Sequence, residues 1–155
     1  MMSFVVKAAP LLWIALAAIC SAAHSVSEQR FEQSYREDIL PYFETGEFGF
    51  FPGEDGASIA YAALKATSER GACVILPGKS ESILKYAELV YDLRASGYSF
   101  YLMDHRGMGL SSSLLGGERD KCHIERFEDY VRDLGTFIDQ VVNAQAHPAR
   151  VLLGH

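Results

Sequence analysis

The sequence predicts an α/β fold, a doubly wound and mostly parallel sheet led by an antiparallel hairpin. Two observations predict it. Three short apolar runs, 73–76, 98–103 and 151–153, are too short for helices and read as strands. Between them, apolar residues recur at helical spacing, first Ile83, Tyr86, Ala87, Val90 and Leu93, then Phe127, Val131, Leu134, Ile138 and Val141. Strand, helix, strand, helix, strand is the order that right-handed crossovers wind into a parallel sheet. The run at 73–76 is continuous rather than alternating, as expected of a strand buried on both faces.

The hairpin lies ahead of these units. Two β-type runs, 48–51 and 58–62, flank the turn cluster Pro52-Gly53-Glu54-Asp55-Gly56. Upstream, 24–46 is polar, acidic and aromatic, with a short helix expected over 28–36 and irregular chain past Pro41. Gly97 is placed to stop the first crossover helix, and the second closes before Pro148. A chain of 155 residues with 49% hydrophobic content can bury one core.

The first residues read as a targeting segment. Lys7 supplies a positive charge, 8–19 is apolar apart from Pro10, and Ser21-Ala22-Ala23 offers small residues for cleavage. The expectation is therefore an export signal over 1–23. An uncleaved anchor is the second reading and lipidation at Cys20 the third. The apolar run is short against the roughly 20 residues of a membrane span. The domain plan is then 1–23 signal, 24–46 extension and 47–155 a partial α/β domain, in a protein that leaves the cytoplasm.

Charge and cysteines narrow the partners. A formal charge of −6 without a basic stripe argues against nucleic acid. Cys73 and Cys122 have no C-x-x-C or clustered Cys/His spacing, so no zinc or other metal site is expected. Export permits a disulfide, but Cys73 opens an apolar strand, where a buried free thiol is the commoner outcome.

Two nucleotide motifs fail on inspection. Gly78-Lys79-Ser80 ends like a P-loop, but Cys73 stands where its first Gly belongs, and strand and Pro fill the cradle. Gly107-Met108-Gly109 has Ser112 at the third glycine position and loop where a helix should open. Neither a nucleotide nor any other cofactor is expected.

The stronger constellation is the set of strand ends. Pro77-Gly78-Lys79 ends the first parallel strand, Asp104 to Ser111 ends the second, and Gly154-His155 ends the third. In α/β sheets this is the face where ligands bind. The segments 75–82, 85–89 and 104–111, with the helix start Arg126-Phe127-Glu128-Asp129-Tyr130-Val131, resemble the α/β-hydrolases. Within them they are similar to bacterial lysophospholipases of the L-two type and monoacylglycerol lipases. The resemblance covers 47–155, the N-terminal half of that fold, and its most specific motif is Asp104-His105-Arg106-Gly107-Met108-Gly109-Leu110-Ser111.

The resemblance implies a serine hydrolase of carboxylic esters that acts on a lysophospholipid or monoacylglycerol, associates with a membrane surface and needs no cofactor. It assigns the Lys79 backbone N–H to half of an oxyanion hole, with Gly78 forming the turn. Gly154 and His155 match the start of a G-x-S-x-G nucleophile elbow, whose serine would come next. Asp104, Arg106, Gly107 and Gly109 match a structural turn that braces the active face. His24, His105, His123, His147 and His155 all precede the elbow serine, whereas the triad order is Ser, acid, His; none is expected to be the base. Ser80, Ser82 and 111–113 read as turn or helix-start residues. The rival expectation is a truncated, catalytically inactive fragment or split half, poorly soluble alone. A milder alternative is an exported esterase or peptidase of the same fold.

Overall fold

The computed structural model describes residues 27–113 and 124–154. The export segment 1–23, Cys122, His123 and His155 lie outside them. Five strands form one sheet in the order β1-β2-β4-β3-β5: β1 Glu47–Pro52, β2 Ser58–Leu64, β3 Gly71–Leu76, β4 Tyr98–Met103 and β5 Arg150–Gly154. The hairpin β1–β2 is antiparallel, as is β2 against β4, while β3 runs parallel to both β4 and β5.

Helices cover both faces. The segment α1 spans 28–43 and α2 spans 83–92, a 3-10 turn Ile83–Tyr86 followed by Ala87–Asp92. The third, α3, spans 127–142, with Phe127–Phe137 regular and Val142 ending a π-helical turn. Alternation along β4 sorts its side chains between two cores. Phe100 and Leu102 join Ile75, Ile83, Ala87, Val90, Ile39 and Phe43 on the α1/α2 face. Tyr101 and Met103 join Phe51, Ile59, Val74, Phe137 and Val142 on the α3 face. Fully burying one such side chain contributes about 1.5–3 kcal/mol, so these clusters set the register of the sheet.

Two expectations need correction. The helix expected over 28–36 does not end before Pro41 but continues to Phe43. A π-helical turn, Tyr35–Ile39, precedes the proline, and the Leu40 N–H reaches back to the Tyr35 carbonyl. Pro41 has no N–H to donate, and the widened turn shifts the hydrogen-bond register where that donor is missing. Ile39 and Phe43 are thereby fully buried in the core.

The second correction concerns α3. Its expected stripe begins with Phe127 and Val131, yet these are 71% and 59% exposed. Asp129 and Asp133 turn inward instead, because the buried Arg106 guanidinium sits beneath them. At the other end of the fold, β5 lies at the edge of the described sheet with Val151, Leu152 and Leu153 exposed.

Candidate functional site

The crossovers after β3 and β4 leave on opposite faces of the sheet, α2 on one and α3 on the other. Adjacent strands whose connections diverge in this way open a crevice at their C-terminal ends. A cleft of about 480 Å³ occupies that position, within the range of small-molecule sites. Leu76, Pro77, Gly78 and Lys79 line it from β3, His105 and Met108 from β4, and Phe127, Tyr130, Val131 and Leu134 from α3.

Gly78 to Glu81 forms a tight turn, closed by the Glu81 N–H to the Gly78 carbonyl at 3.2 Å. Ser80, third in the turn, has φ 66°, a left-handed conformation that costs an L residue about 1–2 kcal/mol. Among the described residues no hydrogen bond engages the Lys79 N–H. Gly154 lies close by, because β5 pairs with β3 in a register that sets Leu76 opposite Gly154.

The Asp104–Ser111 turn is fastened from inside. The Asp104 carboxylate accepts the Ile83 N–H and the Leu110 N–H, both at 2.8 Å. Its carbonyl accepts the Ser111 hydroxyl at 2.8 Å, and Ser111 Oγ in turn accepts the Ala60 N–H. One carboxylate thus ties the start of α2 to the loop after β4. Burial pushes the Asp104 carboxyl above its usual range, against the pull of those two N–H groups. Gly107 and Gly109 have φ 73° and 51°, and a Cβ at Gly109 would collide with the Asp104 carboxylate.

Arg106 is 2% exposed and forms a fork with Asp133, Nε to Oδ2 and Nη2 to Oδ1, both at 2.7 Å. It also donates to the Glu54 carbonyl at 3.0 Å and faces Asp129 at 3.5 Å. The hairpin turn, the β4 loop and α3 therefore meet on one guanidinium. The planar fork suits a buried bidentate pair.

His105 forms the cleft floor, its ring 4.8 Å from that of Tyr130. The Pro77 backbone faces the ring from the β3 side. Nδ1 is buried without a partner among the described residues. Burial lowers the imidazole pKa, with Asp133 and the Pro77 backbone pulling the other way. Neutral His105 is therefore the favoured form.

The structure gathers Gly78, Lys79, Asp104, Arg106, Gly107 and Gly109 around the end of β3 and β4, with Gly154 on the neighbouring strand. Cys73 is a half-buried free thiol whose pKa burial raises. The carboxylates of Glu54, Asp55 and Asp129 lie within 4.8 Å of one another. Arg132, Arg126 and Arg106 already face them, which makes this an ion-pair network rather than a metal centre.

Sequence reasoning passed over Glu81, Asp129 and Asp133. The signal for the aspartates was present, since i and i+4 acids on one helix face point to a shared cation once a buried Arg is suspected. Glu81 was marked by its spacing of three from Gly78.

Comparison with known proteins identifies the family. The profile described as serine aminopeptidase, S33 (Hydrolase_4) matches residues 67–155, more than half of the chain. The chain is 39% identical over 105 residues to lysophospholipase L2 of Escherichia coli strain K12, covering 68% of this chain and 31% of that protein. It is 30% identical over 132 residues to a probable lysophospholipase L2 of Haemophilus influenzae, covering 84% and 41%. With the monoacylglycerol lipase of Mycolicibacterium smegmatis the identity is 31% over 106 residues, 68% of this chain and 36% of the relative.

The chain thus spans 31% to 41% of the length of these relatives. Among solved structures, a soluble variant of monoglyceride lipase from Saccharomyces cerevisiae superposes with a TM-score of 0.59 at 23% identity, covering 71% of this chain and 35% of that one. A Vigna radiata epoxide hydrolase mutant superposes at 0.54 and 20%, covering 72% and 31%. These two likenesses bear on the fold alone. The chain belongs to the Hydrolase_4 (serine aminopeptidase, S33) family and carries part of an α/β-hydrolase fold.

Proposed function

We propose that this chain supplies the oxyanion side and the approach to the nucleophile elbow of a serine hydrolase of lipid carboxylic esters. A lysophospholipid or monoacylglycerol is the substrate class. The observation that carries the reading is the pairing that sets Gly154 beside Leu76, next to a Lys79 N–H with no hydrogen-bond partner among the described residues and an apolar cleft that Leu76 to Lys79 line. The sequence relatives named lysophospholipase L2 and monoacylglycerol lipase support the substrate class. The elbow serine would attack the acyl carbon, the ester C–O bond would break and its alcohol leave with the proton given up by the serine, and water would then hydrolyse the acyl-enzyme to free fatty acid and serine. The Lys79 N–H would hold the oxyanion meanwhile, and one such donor is worth about 2.7–4 kcal/mol.

Export is part of the proposal, supported by Lys7, the apolar 8–19 and Ser21-Ala22-Ala23. Among the described residues no helix is long and apolar enough to cross a membrane. Exposed Leu84, Leu110, Phe127 and Val131 would suit contact with a lipid surface.

The test is to express the complete reading frame and expose it to a serine-reactive fluorophosphonate, to lysophosphatidylcholine and to monoolein. The proposal expects labelling of a serine in Gly154-His155-Ser-x-Gly and release of fatty acid. Absence of both labelling and release refutes it, and an N-terminus beginning at Met1 in a cytoplasmic fraction refutes export.

The exposed edge of β5 in the described sheet favours a second reading, in which residues 1–155 by themselves aggregate rather than act as an esterase. An exposed apolar edge strand is an aggregation hazard. A soluble monomer of 1–155 that hydrolyses a nitrophenyl ester contradicts it.

A further inference from the structure

Glu81 closes the oxyanion turn twice, once with its side chain and once with its backbone. The Gly78 N–H donates to Glu81 Oε2 at 3.0 Å, and the Glu81 N–H donates back to the Gly78 carbonyl at 3.2 Å. The Tyr86 hydroxyl donates to the same Oε2 at 2.8 Å, and the Lys85 ammonium bonds Oε1. The Glu81 side chain is 13% exposed, so its bonds to Gly78 and Tyr86 are partly shielded from competing water, while the Lys85 end is open to solvent.

The consequence concerns which amide is left over. Gly78 and Lys79 both line the cleft. Glu81 occupies that of Gly78, and the Lys79 N–H remains unengaged among the described residues. A turn with Ser80 at φ 66° has a relaxed competitor at negative φ, and moving Ser80 there would swing the 79–80 peptide and tilt its neighbours. The Glu81 carboxylate opposes this by holding both ends of the turn together.

We propose that Glu81 is a positioning residue for ester hydrolysis: it occupies the Gly78 amide, locks the turn and thereby fixes the direction of the Lys79 N–H toward the oxyanion. This rests on the hydrolase reading above. The effect belongs to the transition state, because a pre-oriented donor acts on charge that develops there and not on the ground-state ester. Lys85, Tyr86 and the Gly78 N–H hold the Glu81 carboxyl down to about 2, so it stays ionised across the working range of any esterase.

The test uses the enzyme from the complete reading frame, a short-chain nitrophenyl ester and an alkylboronic acid, whose tetrahedral adduct places an oxygen in the oxyanion site. Glu81→Ala is expected to lower kcat by about tenfold or more, leave KM within about twofold, and weaken the boronic acid by the same factor as kcat/KM. Glu81→Gln keeps an acceptor for Gly78 and Tyr86 and is expected to recover most of kcat. Glu81→Asp keeps the charge but withdraws it by a methylene, and should behave like Glu81→Ala if the alanine variant does not fold. An active wild type with Glu81→Ala and Glu81→Asp at full kcat overturns the proposal. So does a Glu81→Gln variant as impaired as Glu81→Asp, or a loss of kcat without loss of boronic acid affinity. A wild type that neither turns over ester nor takes the fluorophosphonate refutes the hydrolase reading itself.

Discussion

Leu76 and Gly154 stand opposite each other in the parallel pairing of β3 and β5. From that shared level one strand runs on into Pro77-Gly78-Lys79, and the other ends at Gly154. Two strand ends separated by most of the domain in sequence therefore lie side by side. An oxyanion donor and a nucleophile must converge on one carbonyl, and neighbouring parallel strands are a direct way to deliver both.

The Arg106 hub makes the sharpest stability prediction. Removing one partner of a buried ion pair strands the other, at about 3–5 kcal/mol. Arg106→Met should cost that much in urea denaturation. The double variant Arg106→Met/Asp133→Leu should cost less than the sum of the single changes, since neither charge is then left alone. Additive losses would mean that the fork of 2.7 Å bonds contributes no coupling.

Two glycines should respond in opposite directions. Gly109 has φ 51° and faces the Asp104 carboxylate, so Gly109→Ala should destabilise by at least about 1–3 kcal/mol from backbone strain alone. Gly135 lies inside α3, and a Cβ there meets nothing within 4 Å. Gly135→Ala should stabilise by about 0.5–1 kcal/mol. Thermal melts of the two variants check both signs together.

The stripe on α3 shows what was legible in the sequence and what was not. The strand–helix alternation from 71 to 154 follows from period and length, and the structure keeps it. The turns at 78–81 and 104–111 could be placed from Gly positions at strand ends. The facing of α3 could not, because hydrophobic periodicity ranks Phe127 and Val131 above Asp129 and Asp133. The aspartates go inward only because Arg106 waits there, and that partner comes from a residue 27 positions away in sequence. The π-helical turn before Pro41 escaped for a similar reason: a proline normally ends a helix, and here Ile39 and Phe43 have a core to fill.

Acid should weaken the fold in two stages. Burial holds His105 below its ordinary 6.5, so the unfolded chain binds its proton first. Its contribution is complete above about pH 6.5 and is lost as pH falls through the depressed value. Glu69 is lowered from 4.5 by hydrogen bonds from Ser99 and then His147, so its contribution is lost at still lower pH. Urea midpoints at about pH 7.5 and 5.5 should fall more for the wild type than for His105→Phe. Parallel falls would remove His105 from this account.

The most direct test of the central claim is Lys79→Pro beside Lys79→Ala in the enzyme from the complete reading frame. Lys79 is the second residue of the Gly78–Glu81 turn, a position where proline is favoured, so the change removes the N–H while suiting the turn. Ester turnover should drop by about 10²–10³ in kcat for Lys79→Pro, with little change for Lys79→Ala, which keeps the amide. Equal and near wild-type activity in both variants would contradict an oxyanion role for the Lys79 N–H, and with it the reading of this strand end as half of the catalytic site.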